Sequence, residues 1–399
     1  MCSMVKTIEI YYEDAYIDKF DATVLSCEEG KGGYFFVVLD RTAFFPEQGG
    51  QSSDTGFLVT DEGKRVKVIH TSIKDGIITH KTDAGLGEGT LVHGEIDFDH
   101  RFSNMQQHTG EHIFSGIVSS QYGFDNVGFH LSDSEVTMDY SGFLSPQQLK
   151  DIELKVNQAI WENVEVICSF PSKEELQSID YRSKKELIGD VRIVTVKGYD
   201  TCACCAPHVL RTGEIGLLKV ISSQAYKGGV RVSILCSKRA LAFLQAEHEI
   251  LSELSGQLTT STDKVIASVN KMWDENHELK GQLLECREKL MEYELSEIDP
   301  ELENVFLTKE PGIDGSFMRK TVNALAEKHP GYCGIFSGSD SEGYKYIIAS
   351  GKNGMNAAEL QKKLGEKLGA KGGGGAAMIQ GSIRNVAIAD VMAFLDSLE

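Results

Sequence analysis

Along the first hundred residues, apolar and polar side chains alternate in short runs broken by glycine-containing turns. Thr7–Tyr12, Phe20–Ser26, Tyr34–Leu39, Arg65–His70 and Ile77–Thr82 are such runs. Period-two patterning puts one face on a core and the other in water, so residues 1–98 predict a small antiparallel β-barrel or sandwich. The period then lengthens. From Arg101 to Gln121, Phe102, Met105, Ile113, Phe114 and Ile117 recur near helical spacing. Ser145-Pro146-Gln147-Gln148 carries a helix-start signature: a capping serine, proline in the first turn and a glutamine able to close a capping box. That helix is expected to run to about Asn163. Val164–Ser169 and Val191–Lys197 read as buried strands, and Glu214–Ser222 and Gly229–Leu235 as a further pair. Residues 99–237 therefore predict an α+β domain.

Residues 238–298 read as helical. Val265, Val269, Met272, Asn276, Leu279, Leu283, Cys286, Leu290 and Tyr293 form a heptad seam, and Ser255–Asp263 reads as the turn between two antiparallel helices. The seam suits either an intramolecular helical hairpin or a coiled coil between two copies, and Asn276 can set the register in both. Residues 299–399 show an α/β pattern: strands at Asn304–Leu307, Gly334–Ser337 and Tyr344–Ala349, helices at Ser316–Lys328, Ala357–Leu368 and Ile388–Leu398. Lys371-Gly372-Gly373-Gly374-Gly375 lies between the last two helices. A short glycine run there suits close approach of the backbone to a phosphate or another chain, with a flexible linker as the alternative.

Composition adds limits. At 399 residues, 41% hydrophobic and 25% charged, the chain fits two to four ordinary domains and not a disordered or fibrous protein. No apolar run approaches the roughly 18–20 residues of a membrane span. Met1 to Glu13 lacks the features of a secretory signal, so the nine cysteines are expected as reduced thiols in the cytoplasm, with metal binding open to them. A net charge of −19 argues against a protein that coats nucleic acid unspecifically, so a nucleic-acid site needs a local basic face. One window supplies it. Lys352, Lys362, Lys363, Lys367 and Lys371 outnumber Glu359 and Glu366 there, and the lysines can meet phosphates.

The chemistry concentrates in two pairs. In His108-Thr109-Gly110-Glu111-His112 the histidines stand at i and i+4 of a predicted helix, so both rings can meet one ion. Much later, Cys204 and His208 form a Cys-x-x-x-His unit, and the four together make a tetrahedral zinc set. Cys202 and Cys205 are neighbouring thiols, either of which can replace Cys204. His-Thr-Gly-Glu-His also fits the H-x-x-E-H pattern of inverted zinc proteases, with Glu111 as general base, but that pattern leaves Cys204 and His208 unused.

These residues resemble a family. Phe44-Phe45-Pro46-Glu47-Gln48-Gly49-Gly50-Gln51 followed by Ser53-Asp54-Thr55-Gly56, Gln107 to His112, Cys204 to Val209 followed by Thr212 to Gly216, and Gly372, Gly373, Gly374 and Gly375 with Gln380-Gly381 are similar to motifs of the free-standing alanyl-tRNA editing proteins of the long AlaX type. Those proteins are homologous to the editing and C-terminal (DHHA1) parts of alanyl-tRNA synthetase. The match runs nearly end to end. It departs at Gln48, where the family has glycine, and at Cys205-Ala206-Pro207, where the family has Gly-Gly-Thr.

The resemblance implies a multidomain α+β protein: a small β-barrel, a zinc-containing editing domain, a helical linker and a DHHA1-like tRNA-binding domain. It implies hydrolysis, without ligation, of serine or glycine wrongly esterified to alanine tRNA. Thr42 is the implied reader of the serine hydroxyl and Gln51 the next candidate. Glu111 is a candidate for positioning water or the substrate amine, with an exposed or supporting carboxylate as the alternative. The DHHA1 likeness adds the glycine run to the lysines as a tRNA contact, and Arg231 is a further candidate near the editing site. Apart from the resemblance, a homodimer through the helical and C-terminal regions is an open expectation. A non-catalytic tRNA-binding module with structural zinc, and a zinc peptidase, are the competing readings.

Overall fold

The alternating runs of the amino-terminal region close on themselves. In the computed structural model, which describes residues 6–183 and 190–398, the strands are β1 (Ile8–Glu9), β2 (Lys19–Glu29), β3 (Phe35–Leu39), β4 (Arg41–Thr42), β5 (Gly56–Thr60), β6 (Arg65–Lys74), β7 (Ile77–Thr82) and β8 (Leu91–Ile96). Residues 1–5, where the targeting-signal reading begins, lie outside the described residues. Six strands form a closed barrel in the order β2-β3-β7-β6-β5-β8, while β1 pairs with β4 outside it. Phe20, Ala22, Val24, Val37, Leu39, Leu58, Val66, Val68 and Val92 fill the barrel. Closure leaves no unpaired edge to protect. The run Thr7–Tyr12 is not one strand: it yields two strand residues and then a 3-10 turn. Ile10 and Tyr11 are both buried, which consecutive strand positions on one face cannot achieve.

The next region is built on α1 (Phe98–Tyr122), capped by Asp97 and ended by Gly123 in the left-handed conformation. It is followed by β9 (Asn126–Leu131), β10 (Val136–Tyr140), α2 (Pro146–Glu162), β11 (Val166–Ser169), α3 (Lys173–Leu176), β12 (Ile193–Val196), β13 (Asp200–Ala203), β14 (Leu218–Tyr226), β15 (Gly229–Cys236) and α4 (Ser237–Gln257). Strands β14-β15-β10-β9 make one antiparallel sheet and β11-β12-β13 a smaller one. The expected strand at Glu214–Ser222 begins instead as a 3-10 turn at Thr212–Ile215. Nearly the whole middle of α1 is buried, including Met105, Ile113, Phe114, Ile117 and Val118. Gly110 makes this packing possible, since a methyl group there would lie 2.6 Å from Cys236 Sγ.

The chain divides into two compact units, Met1–Gln257 and Leu258–Glu399. The second starts with α5 (Val265–Ser296), then β16 (Val305–Lys309), α6 (Gly315–Ala326), β17 (Tyr332–Ser339), β18 (Gly343–Ser350), α7 (Ala357–Leu368), β19 (Lys371–Gly374), β20 (Met378–Ile383) and α8 (Ile388–Asp396). The heptad seam lies on α5, where Val269, Met272, Leu279, Leu283, Leu290 and Tyr293 are between 38% and 66% exposed. The sheet runs β16-β17-β18-β20-β19, with β16 parallel to β17 and the rest antiparallel. Tyr346, Ile348, Ile379 and Ile383 pack on one face with Leu360 and Leu364 of α7 and Val391 of α8. Ile335, Ile347 and Ala349 pack on the other with Phe317, Met318 and Val322 of α6.

The glycine run is not a linker: Gly372, Gly373 and Gly374 lie in edge strand β19 and Gly375 follows it. Side chains at Gly372 and at Gly381, its partner on β20, would run into the Tyr346 hydroxyl, which donates to Gln361 of α7 at 2.6 Å. These two glycines keep a tyrosine–glutamine contact, while Gly373 opens to free space. No helix among the described residues is long and apolar enough to cross a membrane.

Candidate metal centre

Helix α1 presents His108 and His112 one turn apart, with ring centroids 5.4 Å from each other. The second pair arrives from the loop after β13. That loop is moulded on buried Arg192, whose guanidinium donates to the Cys204 carbonyl at 3.0 Å and the Ala206 carbonyl at 2.8 Å. The Cys204 amide in turn donates to the Arg192 carbonyl at 3.0 Å. As a result the donor atoms of His108, His112, Cys204 and His208 all lie within 4.8 Å of one another.

Each imidazole is held by its other nitrogen. His108 Nδ1 lies 2.8 Å from Gln51 Oε1 and His112 Nδ1 3.0 Å from Asp200 Oδ2. His208 Nδ1 lies 3.0 Å from Thr109 Oγ1, whose own proton goes to the Met105 carbonyl at 2.7 Å, so Thr109 accepts from the ring. All three rings thus carry N–H at Nδ1 and turn Nε2 toward the common point, the arrangement in which supporting partners fix metal-ligating histidines. Cys204 Sγ lies 3.5 Å from His108 Nε2 and 3.4 Å from His208 Nε2. Zinc bonds of about 2.0–2.1 Å to nitrogen and about 2.3 Å to sulfur at a tetrahedral angle put the two donors roughly 3.5–3.6 Å apart. The donor set fits zinc in chemistry and in size.

Charge around the centre is arranged in layers. Asp200 receives His112 and both Nε and Nη2 of Arg182, at 2.7 and 2.9 Å. Burial alone would raise its pKa, but these partners hold the carboxyl below the usual aspartate range. Burial opposes charge on His112, yet the bond to Asp200 leaves that ring above its ordinary value. Burial and the two neighbouring histidines push His208 well below. Of the other thiols, Cys202 groups with His112 and Asp200. Cys205 faces Gly49, and burial pushes its pKa up to about 12. Cys204 is the thiol that meets His108 and His208.

The remaining expected residues are placed as follows. Gln51 joins the centre through His108, and its Nε2 is buried without a partner. Gly49 and Gly50 take positive φ to bring the loop against β9, where a side chain at Gly50 would strike the Phe129 carbonyl. Gln48, the departure from the family's glycine, needs no such conformation. Ala206, another departure, is buried with Tyr11, Phe45 and Ile78. Thr42 is fully buried, its hydroxyl 2.9 Å from His80 Nε2 and accepting from the Phe44 amide at 3.1 Å. Since His80 Nδ1 faces the Val37 carbonyl, Thr42 donates to His80.

Glu111 Oε1 accepts from Ser115 at 2.7 Å and Asn126 at 2.6 Å, and Ser115 continues to Tyr140. The peptidase reading would need that carboxylate at the ion. Arg231 forms a two-point ion pair with Asp139, at 2.6 and 2.8 Å, and lies over the Tyr226 ring, so its charge is already balanced. Lys362, Lys363 and Lys367 are exposed on α7, while Lys371 stands on β19. Sequence reading missed Asp200, Arg182, Arg192 and Thr109. Only Asp200 left a trace, as an acid four residues before Cys204.

Residues 6–100, the barrel region, match the family model described as tRNA synthetases class II (A). Residues 191–233, which include Cys204 and His208, match that of the threonyl and alanyl tRNA synthetase second additional domain. Over 95% of its length the chain is 30% identical to an alanine–tRNA ligase of Pyrococcus furiosus. It is 28% identical over 96% of its length to one of Methanothrix thermoacetophila and 29% identical over 96% to one of Pyrococcus abyssi. The chain spans 42–43% of the length of these relatives. The C-Ala domain from Aquifex aeolicus alanyl-tRNA synthetase aligns with 24% of the chain and 87% of its own length, at 18% identity and a TM-score of 0.21, too slight a likeness to bear on the fold.

Proposed function

Because the chain is a relative of alanyl-tRNA synthetase, we propose that it is a zinc-dependent hydrolase that removes serine, and with it glycine, from mischarged alanine tRNA in trans, in the cytoplasm and without a ligation step. The observation that carries this reading is the metal-sized gap between Cys204 Sγ and the two Nε2 atoms, with every ring already fixed from behind. His108, His112, Cys204 and His208 would hold zinc, which supplies Lewis acidity and a template for the acyl ester. An aminoacyl ester is activated, so placing it correctly is a large part of the catalysis.

Four protein donors favour an orienting role for the ion over delivery of a bound water. Discrimination falls to Gln51. Its Nε2 is a buried donor with no partner, and such a group favours a substrate that supplies an acceptor, as the serine hydroxyl does. The Thr42 hydroxyl is spent on His80 and Phe44, so Thr42 supports the wall of the site. Glu111, fixed among Ser115 and Asn126, acts by holding α1 against β9. A second copy of the chain packed on the α5 seam is the oligomer this reading expects.

The test is deacylation of Ser-tRNA(Ala), Gly-tRNA(Ala) and Ala-tRNA(Ala). Native protein is expected to hydrolyse the first two and spare the third. The His108→Ala, His112→Ala variant is expected to lose activity about 100-fold or more, since even supporting partners of metal ligands are worth roughly 10–100-fold. Gln51→Ala is expected to lose more on the seryl than on the glycyl substrate. Tight tRNA binding without turnover would replace the hydrolase with a binding module that keeps zinc for structure.

A further inference from the structure

Strand register in the carboxyl-terminal sheet settles which way its cations point. Lys345 stands opposite Ser382 on β20, and Ser382 stands opposite Lys371 on β19. Directly paired residues share a face. Lys345 belongs with Ile347 and Ala349, which pack under α6. Lys371 therefore lies on the α6 side of the sheet, away from the α7 lysines on the other side. Neighbouring strands are about 4.8 Å apart, so the two lysines line up roughly 10 Å apart with a serine between them.

The next row holds Gln380 and Gly373. Arg319 of α6 donates to Gln380 Oε1 at 2.8 Å, which brings a third cation to this face. At the end of the row, Lys345, Ser382 and Arg384 border a cleft of about 270 Å³ together with Gly312, Gly338 and Gly343, against one carboxylate, Glu342. Among the described residues, Lys345, Lys371 and Arg384 take part in no ion pair. Lys362, Lys363 and Lys367 on α7 take part in none either, but Lys362 and Lys363 stand three or four positions from both Glu359 and Glu366, so that face carries acids among its cations.

We propose that the α6-side face of this sheet, along Lys345, Ser382 and Lys371, seats the phosphate backbone of RNA. The inference rests on the tRNA reading above and identifies the surface. In a protein of net charge −19 a polyanion needs a local basic face, and a line of cations in no ion pair offers one to successive phosphates. Gly373, open to free space, lets the bound strand lie against the sheet without a side chain in the way.

Fluorescence anisotropy of the full chain with deacylated tRNA as the probe tests it. Lys345→Glu with Lys371→Glu is expected to weaken binding about tenfold and to lower the slope of log affinity against log salt by about two. Lys362→Glu with Lys367→Glu on α7 is expected to cost less. An α7 pair that costs as much as the sheet pair, or more, overturns the proposal. The milder pair Lys345→Gln, Lys371→Gln is expected to show the same loss of slope with an unchanged circular dichroism spectrum. Hydrolysis is read separately on the same protein. Sheet-dependent RNA affinity without deacylation removes the hydrolase and leaves this surface standing. Deacylation with sheet-independent affinity removes the surface alone.

Discussion

Buried histidines in this protein do two different jobs. His108, His112 and His208 each spend Nδ1 on a neighbour and keep Nε2 for the centre. His80, in the barrel, spends both nitrogens on the protein. Burial pushes His80 down to about 4. The unfolded ring takes up a proton near pH 6.5, so between 6.5 and 4 the unfolded state binds the extra proton and stability falls as pH falls. Above 6.5 this contribution is complete and flat. Urea denaturation is expected to show roughly 2 kcal/mol less stability at pH 5 than at pH 7 from this group, and His80→Gln, which keeps a donor and an acceptor, is expected to lose that part of the slope. Spacing made the four donors legible in the sequence: i, i+4 on a helix and Cys-x-x-x-His in a loop are one-dimensional patterns. Asp200, Thr109 and Arg192 were not legible, because their roles exist only once β13 and its loop lie against α1.

Elements show the same divide. Ser145 caps α2, accepting from the Gln148 amide while the Gln148 side chain accepts from the Ser145 amide. This start was readable because every participant lies within four residues. Ser145→Ala is expected to cost about 1 kcal/mol, measurable as a shift of the denaturation midpoint with unchanged slope. The strands β4, β5, β8, β9, β10, β13, β19 and β20 were not among the runs read as strands. Gly56, Gly94 and Gly128 interrupt three of them, and glycine in a strand reads locally as a break. The run at 372–375 was read as a close approach of backbone or a linker, and its strand was not legible because Gly372 serves Tyr346, a residue on a different strand. A composition that signals mobility in isolation here signals close packing on one side and an open platform on the other.

At the scale of the first unit, a buried ion pair joins the barrel to the helix that carries His108 and His112. Arg101 of α1 donates to Asp54 and to the Ala43 and Ala15 carbonyls, and both side chains of the pair are fully buried. Asp54 also accepts from the Phe45 amide at 2.6 Å, so the pair sets the loop that ends in Gln51. Arg101→Met leaves the carboxylate buried and uncompensated, and is expected to cost about 3–5 kcal/mol. The double change Arg101→Met, Asp54→Leu is expected to recover much of that, because removing both charges also removes the desolvation penalty. Denaturant midpoints of the three proteins measure both effects. Neither the barrel nor the α+β class required alignment to see. The pairing of Arg101 with Asp54 did require the fold, since nothing in either neighbourhood marks them as partners.

The split of the metal donors between α1 and the loop after β13 has a consequence for biosynthesis. On the ribosome, His108 and His112 leave the exit tunnel well before Cys204 and His208 are made. For that interval the nascent polypeptide would expose half of the proposed chelate, able to hold an ion only weakly, and the full donor set would come together late. Scarcity of zinc during translation would then reduce the yield of correctly assembled molecules rather than the activity of those already made.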